Sequence, residues 1–146
     1  MEFFIKSFDE LSAREVYEIL RARAEVFVAE QQICCADPDG EDYRCLHVFA
    51  LKEGNVAAYL RAYSLDGATL KIGRVLTRER GKGLGRELME FALARLPELT
   101  GLRRIHIDAQ KYAAPFYRKF GFEVTSGEYL EEGIVHVDMD LVIGEE

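Results

Sequence analysis

One glycine-rich run restricts the fold of this chain more than any other feature: Arg80-Gly81-Lys82-Gly83-Leu84-Gly85-Arg86. It follows a strand-like segment, residues 69–77, and it opens an amphipathic helix. Glycines at three alternate positions remove side chains from one turn, so that backbone N–H groups are free to surround an anion. The helix start adds unpaired N–H donors and the positive end of a dipole. With its basic side chains, the run predicts a pyrophosphate-binding loop.

Two common phosphate-binding motifs do not fit this run. A Walker loop needs four residues between its first glycine and Gly-Lys, but position 76 is not glycine and Gly83 follows Lys82. A dinucleotide fingerprint needs a glycine at its sixth position, which is Arg86 when counted from Gly81. The run on its own is also compatible with a flexible strand-to-helix connection that carries solvated basic residues.

A second informative segment lies about 25 residues further along the chain: Gln110-Lys111-Tyr112-Ala113-Ala114-Pro115-Phe116-Tyr117-Arg118-Lys119-Phe120-Gly121-Phe122. Its spacing predicts a short helix with Phe116 and Phe120 on the apolar face and Gly121 as a left-handed cap. Because Tyr117 lies beside that face, its hydroxyl is expected to need a hydrogen-bond partner.

The pattern Arg80-x-x-Gly83-x-Gly85, placed between a strand and a helix, resembles the acetyl-CoA loop of the GNAT N-acetyltransferase superfamily. The second segment is similar to a later motif of that superfamily, in which an amide side chain precedes Phe-Tyr and an aromatic-Gly-aromatic exit. Further segments resemble the ElaA-like branch: Glu25-Val26-Phe27-Val28-Ala29-Glu30-Gln31, Gly73-Arg74-Val75, Gly127-Glu128 and residues 132–139.

Periodicity and turn residues predict an α+β chain in which strands outnumber helices. A capping box at Ser12 opens a helix to about Ala29, with an apolar face of Val16, Ile19, Leu20, Ala24 and Phe27. A second helix runs from Gly83 to about Leu96. The predicted strands are residues 2–8, 46–52, 56–64, 68–77, 104–109, 122–127 and 134–142. The resemblance implies one GNAT-like domain over residues 1–146, with a central, mostly antiparallel mixed sheet of about seven strands flanked by helices.

Composition excludes several classes of protein. The chain has 146 residues, 49% of them hydrophobic, which is enough for a sizeable core. The formal charge of −7 argues against nucleic acid as a partner, and no apolar run is long enough to cross a membrane. Three cysteines and the lack of a signal peptide predict a reduced, cytoplasmic protein. Cys34, Cys35, Cys45 and His47 match no standard zinc spacing, so we expect no metal.

The resemblance implies that an amine attacks the thioester of acetyl-CoA directly, within a ternary complex. The acceptor is then a primary amine on a small molecule, a lysine side chain or a peptide N-terminus. Tyr117 matches the general acid that protonates the leaving thiolate. The positions matched to cofactor binding are Val75, Leu76 and Thr77 for the pantetheine arm, and Arg80, Gly81, Lys82, Gly83, Leu84, Gly85, Arg86 and Gln110.

The general base is not identified by the sequence. Many family members carry a glutamate on the strand before the phosphate loop, but residues 69–77 contain no acidic residue. The candidates are Glu30, His136 and Asp108. Since side chains alternate along a strand, Asp108 shares one face with His106 and Gln110, which suggests either water-bridged proton transfer or a structural network.

The acceptor pocket is expected near the 30–45 loop and the last hairpin, both of which are acidic. We expect one or two of these carboxylates to steer a protonated amine, although a solvated acidic surface is also compatible with them. The acidic residues are Glu30, Asp37, Asp39, Glu41, Asp42, Glu128, Glu131 and Glu132. The alternative function is a catalytically silent acyl-CoA-binding module. Homodimers are common in the superfamily, but the sequence does not indicate an oligomeric state.

Overall fold

The fold is built on one mixed sheet, seen in a computed structural model that describes residues 1–33, 37–78 and 81–144. The strands are β1 (Glu2–Ser7), β2 (Leu46–Lys52), β3 (Asn55–Ser64), β4 (Thr69–Thr77), β5 (Arg104–Gln110), β6 (Glu123–Val124), β7 (Tyr129–Glu131) and β8 (Ile134–Val142). The α-helices are α1 (Ala13–Arg23), α2 (Leu84–Thr100) and α3 (Ala114–Arg118). Short 3₁₀ turns span Phe8–Glu10, Glu41–Arg44 and Lys111–Ala113.

The strand order is β1-β2-β3-β4-β5-β8-β6, with β7 also paired to β8. Only the β4–β5 pair is parallel, so the predicted α+β class and mostly antiparallel mixed sheet are confirmed. Strand β7 was not predicted. It forms because Glu132 and Gly133 both have positive φ, which makes the tight turn that returns the chain onto β8.

Strands β4 and β5 separate part-way along their length. They pair only from Thr69↔Arg104 to Ile72↔Ile107. Beyond Ile72 the β3–β4 register shifts, and Arg74 takes a left-handed conformation (φ 55°), as expected for a β-bulge. The last residues of β4 therefore stay paired to β3 but leave their other edge open toward β5.

Consecutive residues of β2 and β3 are buried, and because successive side chains point to opposite faces of a strand, both faces of the sheet are covered. On one face α2 buries Leu88, Met89 and Leu96. Helix α2 continues to Thr100 rather than ending near Leu96, because Pro97 is accommodated in its last turn before the left-handed Gly101. Phe91 on the same helix is partly buried against this core.

The first helix begins as predicted and continues differently. Its capping box is present, with the Glu15 N–H donating to Ser12 Oγ at 3.0 Å. After Arg23 the chain winds as a π-helix over Ala24–Glu30. The prediction that Ala24 faces the core is wrong: Ala24 is exposed, and the buried positions include Ala22 and Arg23.

None of the helices in the described ranges has the length and apolar character needed to cross a bilayer.

Candidate active site

The separation of β4 from β5 opens a cleft of about 610 Å³. The open edge of β4 contributes Val75, Leu76 and Thr77, the three residues matched to the pantetheine arm. Across the cleft lie α3 and the 3₁₀ turn before it, while the π-helix and the β7–β8 turn close the remaining sides. The cleft thus combines an unpaired strand edge with side chains from four separate elements.

The glycine-rich run forms the start of α2 beside this cleft. Gly81 (φ 78°) and Gly83 (φ 74°) are both left-handed, a conformation that other residues adopt only with strain. Gly83 is the N-cap of α2 and offers no side chain to the first-turn N–H groups. At Gly85 a Cβ atom would lie 3.4 Å from Cζ of Phe116, so the glycine allows α2 and α3 to approach closely.

Among the described side chains of this run, one apolar side chain is buried and two basic side chains are exposed. Leu84 is buried and holds the helix start against the core. Lys82 and Arg86 are exposed, as expected of groups that meet a solvated phosphate. Arg80 lies outside the described residues.

Tyr117 lines the cleft, and its side chain is only 8% exposed. Its ring packs edge-on against Phe116 and Phe122. The expected hydroxyl partner is not found: within the described ranges, the hydroxyl makes no hydrogen bond. Burial, helped by Tyr112, raises the pKa of Tyr117 well above its ordinary value, so the phenol stays protonated at neutral pH.

His136 also lines the cleft and is 7% exposed. Its Nδ1 lies 2.8 Å from the carbonyl oxygen of Ile134, and its ring stacks on Tyr129 with centroids 5.9 Å apart. A carbonyl can only accept, so Nδ1 carries the proton and the neutral imidazole has its lone pair on Nε2. That nitrogen has no partner within the described ranges.

Of the other predicted site residues, Gln110 lies in the cleft and Glu30 does not. Gln110 pairs with His136 across β5 and β8 and donates to Oε1 of Gln31 at 3.1 Å. Both glutamines line the cleft, so this hydrogen bond joins the end of β5 to the segment after the π-helix. Glu30 is exposed and does not contribute to the cleft wall, and the structure does not bring it to Tyr117 or His136.

The predicted shared face of His106, Asp108 and Gln110 is confirmed, and Asp108 belongs to an ionic network. Its Oδ1 lies 2.7 Å from His106 Nε2, and its Oδ2 lies 3.0 Å from Lys71 Nζ. Burial raises the pKa of Asp108, but hydrogen bonds from Lys71 and His106 outweigh it and lower the pKa overall. A carboxyl group held ionised in this way is a weak proton acceptor.

A second network was missed by sequence reasoning: three arginines from three elements hold three aspartates of the 37–42 loop. Buried Arg23 contacts Asp37 and Asp42 through Nε and Nη1, at 2.9 and 2.7 Å. The further pairs are Arg61 with Asp39 and Asp42, and Arg74 with Asp37 and Asp39. Because Arg61 and Arg74 lie on β3 and β4, this loop is fixed against the cleft wall.

These pairings correct the expectation that the 30–45 loop steers an amine. The hydrogen bond from Arg61, with Arg74 nearby, lowers the pKa of Asp39 far below its ordinary range. Burial raises the pKa of Asp42, but Arg23 and Arg61 lower it overall. Since internal arginines balance their charges, the steering prediction fails for Asp37, Asp39 and Asp42.

Cys45 and His47 each make contacts within the protein. Cys45 is buried and donates its thiol to the Glu41 carbonyl, and burial raises its pKa to about 12. Both ring nitrogens of His47 are engaged, with the Tyr59 hydroxyl and the Asp42 carbonyl. Cys34 and Cys35 lie outside the described residues.

Comparison with known families decides the membership of the chain. Residues 41–143 match the family described as acetyltransferase (GNAT) domain. This range includes β2 to β8, the glycine-rich run, Tyr117 and His136. The chain belongs to the GNAT acetyltransferase family. As a GNAT protein it falls in the ElaA-like group, which confirms the resemblance drawn from the sequence.

The relatives of this GNAT chain span nearly its whole length. A UPF0039 protein of Schizosaccharomyces pombe is 38% identical over 145 residues, covering 97% of both chains. Protein ElaA of Escherichia coli is 33% identical over 136 residues, covering 89% of each. A crystal structure of an acyl-CoA N-acyltransferase from Pseudomonas aeruginosa superposes with a TM-score of 0.91 at 32% identity, covering 97% of this chain and all of that one.

Proposed function

We propose that this protein is a cytoplasmic N-acetyltransferase that transfers the acetyl group of acetyl-CoA to a primary amine within one domain, residues 1–146. The observation that carries the proposal is the open edge of β4. It lies between a left-handed glycine turn at a helix start and the unpartnered hydroxyl of Tyr117. The donor therefore has a place for its phosphates, its extended arm and its leaving sulfur along one cleft.

The donor half of the cleft suits coenzyme A part by part. An extended chain can add to an unpaired strand edge by main-chain hydrogen bonds, so the pantetheine arm pairs with Val75, Leu76 and Thr77. The N–H of Val75 follows the bulge at Arg74 and polarises the thioester carbonyl. The diphosphate lies against residues 80–86, with Gln110 near the opposite wall of the arm.

The acceptor half supplies a proton acceptor. An alkyl ammonium has a pKa of about 10.4, so it must lose a proton before it can attack. Nε2 of His136 takes that proton, and the C–N bond forms as the C–S bond breaks. Tyr117 protonates the departing thiolate and recovers its own proton from the amine nitrogen through solvent. The products are the acetylated amine, free coenzyme A and one proton.

The donor site is tested by replacing Gly83 with alanine. A left-handed conformation costs alanine about 1 kcal/mol, so the loop rearranges and its N–H groups turn away from the diphosphate. We expect the Kd for coenzyme A, measured by calorimetry, to rise roughly fivefold. Gly67→Ala is the matched control, because Gly67 is also left-handed (φ 76°) but lies in the β3–β4 turn, away from the loop. An equal rise in both variants, or no binding by the unchanged protein, would refute the donor site.

The base is tested by His136→Asn. An asparagine amide can still donate to the Ile134 carbonyl but has nothing in place of Nε2. We expect kcat/KM at pH 7 to fall roughly tenfold, with water replacing part of the lost function. Because the neutral amine becomes abundant near pH 10, the deficit should shrink as the pH rises toward that value. A deficit that is the same at every pH would remove His136 from proton transfer.

A further inference from the structure

The carboxylates that line the cleft are not equivalent. Those of the described residues are Asp37, Asp39, Asp108, Glu131 and Glu132. Arginines pair with the first two, and Lys71 pairs with Asp108. Glu131 and Glu132 are exposed and form no ion pair with any described residue, although the charge of Glu131 is among those that hold the pKa of Lys71 up against burial. The negative charge that remains unbalanced in the cleft is therefore concentrated at the β7–β8 turn.

A ligand group is also expected at this turn for an independent reason. His136 follows the turn on β8, is more than nine-tenths buried and presents an unpartnered Nε2 to the same cleft. The described atoms that are buried without a partner do not include this nitrogen, so Nε2 is reachable from the cleft and can accept a hydrogen bond from a ligand there. The β7–β8 hairpin thus offers a ligand the Nε2 atom of His136 and, at its turn, two exposed carboxylates that form no ion pair with a described residue.

The carboxylates of Glu131 and Glu132 do not make the attacking nitrogen more reactive. Under the proposed function, that nitrogen must be neutral when it attacks. A nearby carboxylate stabilises the ammonium form and raises the pKa of the amine. Two unbalanced carboxylates beside the base would therefore slow the reaction of a simple monoamine. They favour the reaction only when they bind a different cationic group of the same acceptor.

The backbone spacing of the hairpin sets roughly how far that second group lies from the first. Tyr129 pairs with His136, and Glu131 is two residues further along β7, or about 7 Å at the usual strand rise. An extended chain of four methylenes places its two terminal nitrogens roughly 6 Å apart at ordinary bond lengths and angles. A short aliphatic diamine can therefore reach from Nε2 of His136 to the turn.

We propose that the acceptor is an aliphatic diamine or polyamine. One of its nitrogens, neutral, attacks beside His136, while a second, still protonated, binds Glu131 and Glu132. This inference rests on the proposed function and adds the class of acceptor to it.

The test compares two acceptors of equal length, 1,4-diaminobutane and 4-amino-1-butanol, with acetyl-CoA as donor. We expect kcat/KM to be about tenfold higher for the diamine, mainly through KM, and the ratio to fall as salt is added. The double variant Glu131→Gln/Glu132→Gln should bring the ratio close to one. Glu128→Gln is the matched control: it precedes the hairpin, pairs with Lys111 and does not line the cleft.

The outcomes separate this inference from the function beneath it. Equal kcat/KM for the two acceptors would overturn the diamine assignment and leave N-acetyl transfer standing. A preference for the diamine that survives in the double variant would also overturn it, because the carboxylates would then not be the cause. No acetylation of any amine by a protein that binds coenzyme A would overturn both.

Discussion

Replacing Tyr117 with phenylalanine should lower kcat by roughly 100-fold while leaving the affinity for coenzyme A nearly unchanged. The substitution removes a single oxygen atom from a ring that is otherwise packed against Phe116 and Phe122. Since that oxygen has no hydrogen-bond partner within the described ranges, its loss breaks no contact of the resting protein. We therefore expect the substitution to raise the free energy of the transition state, in which the thiolate leaves.

The matched control for this substitution is Tyr112→Phe. Tyr112 lines the same cleft but is 73% exposed, so its hydroxyl is solvated and should not affect turnover. Steady-state kinetics and thermal unfolding of both variants separate the two explanations. An unchanged kcat in Tyr117→Phe would remove the hydroxyl from the mechanism. A large loss of Tm would instead make Tyr117 a structural residue.

Much of the fold follows from local sequence signals. The capping box at Ser12, the turn glycines, the continuous apolar runs of β2 and β3 and the alternation in β5 each act over a few residues, so they are visible in the chain. Strand β7 was missed because its three residues carry no alternation of their own. The Glu132-Gly133 turn that returns the chain is local, but the pairing also depends on the length of β8, which supplies the partner strand and is not a local signal.

The site was only partly visible for a related reason. The glycine run and Tyr117 could be found because a backbone conformation or a motif position fixes them. The arginine-aspartate network could not, since its partners are 14 to 37 residues apart and charged side chains are ordinarily assigned to the surface. Arg23 shows the consequence: Ala24 was assigned to the core, whereas the buried position beside it belongs to an arginine.

Arg23→Met should lower the free energy of unfolding by about 3–5 kcal/mol, a large part of the stability of a domain this size. Arg23 is fully buried, and its Nε, Nη1 and Nη2 all donate to Asp37 or Asp42. Methionine fills much of the same space but leaves buried Asp37 and partly buried Asp42 short of a cation. The loss should appear in urea unfolding as a lower midpoint.

The pH dependence of that loss identifies its cause. The pKa of Asp42 is lowered in the folded protein, so its ionisation stabilises the fold above pH 4 and the gain is lost as the pH falls. In Arg23→Met the carboxylates can be protonated more easily, so the gap between variant and unchanged protein should narrow below about pH 4. Arg21→Met is the control on the same helix, because Arg21 is 41% exposed and its surface pairs contribute less than about 1 kcal/mol. A gap that stayed constant with pH would indicate lost packing rather than unpaired charge.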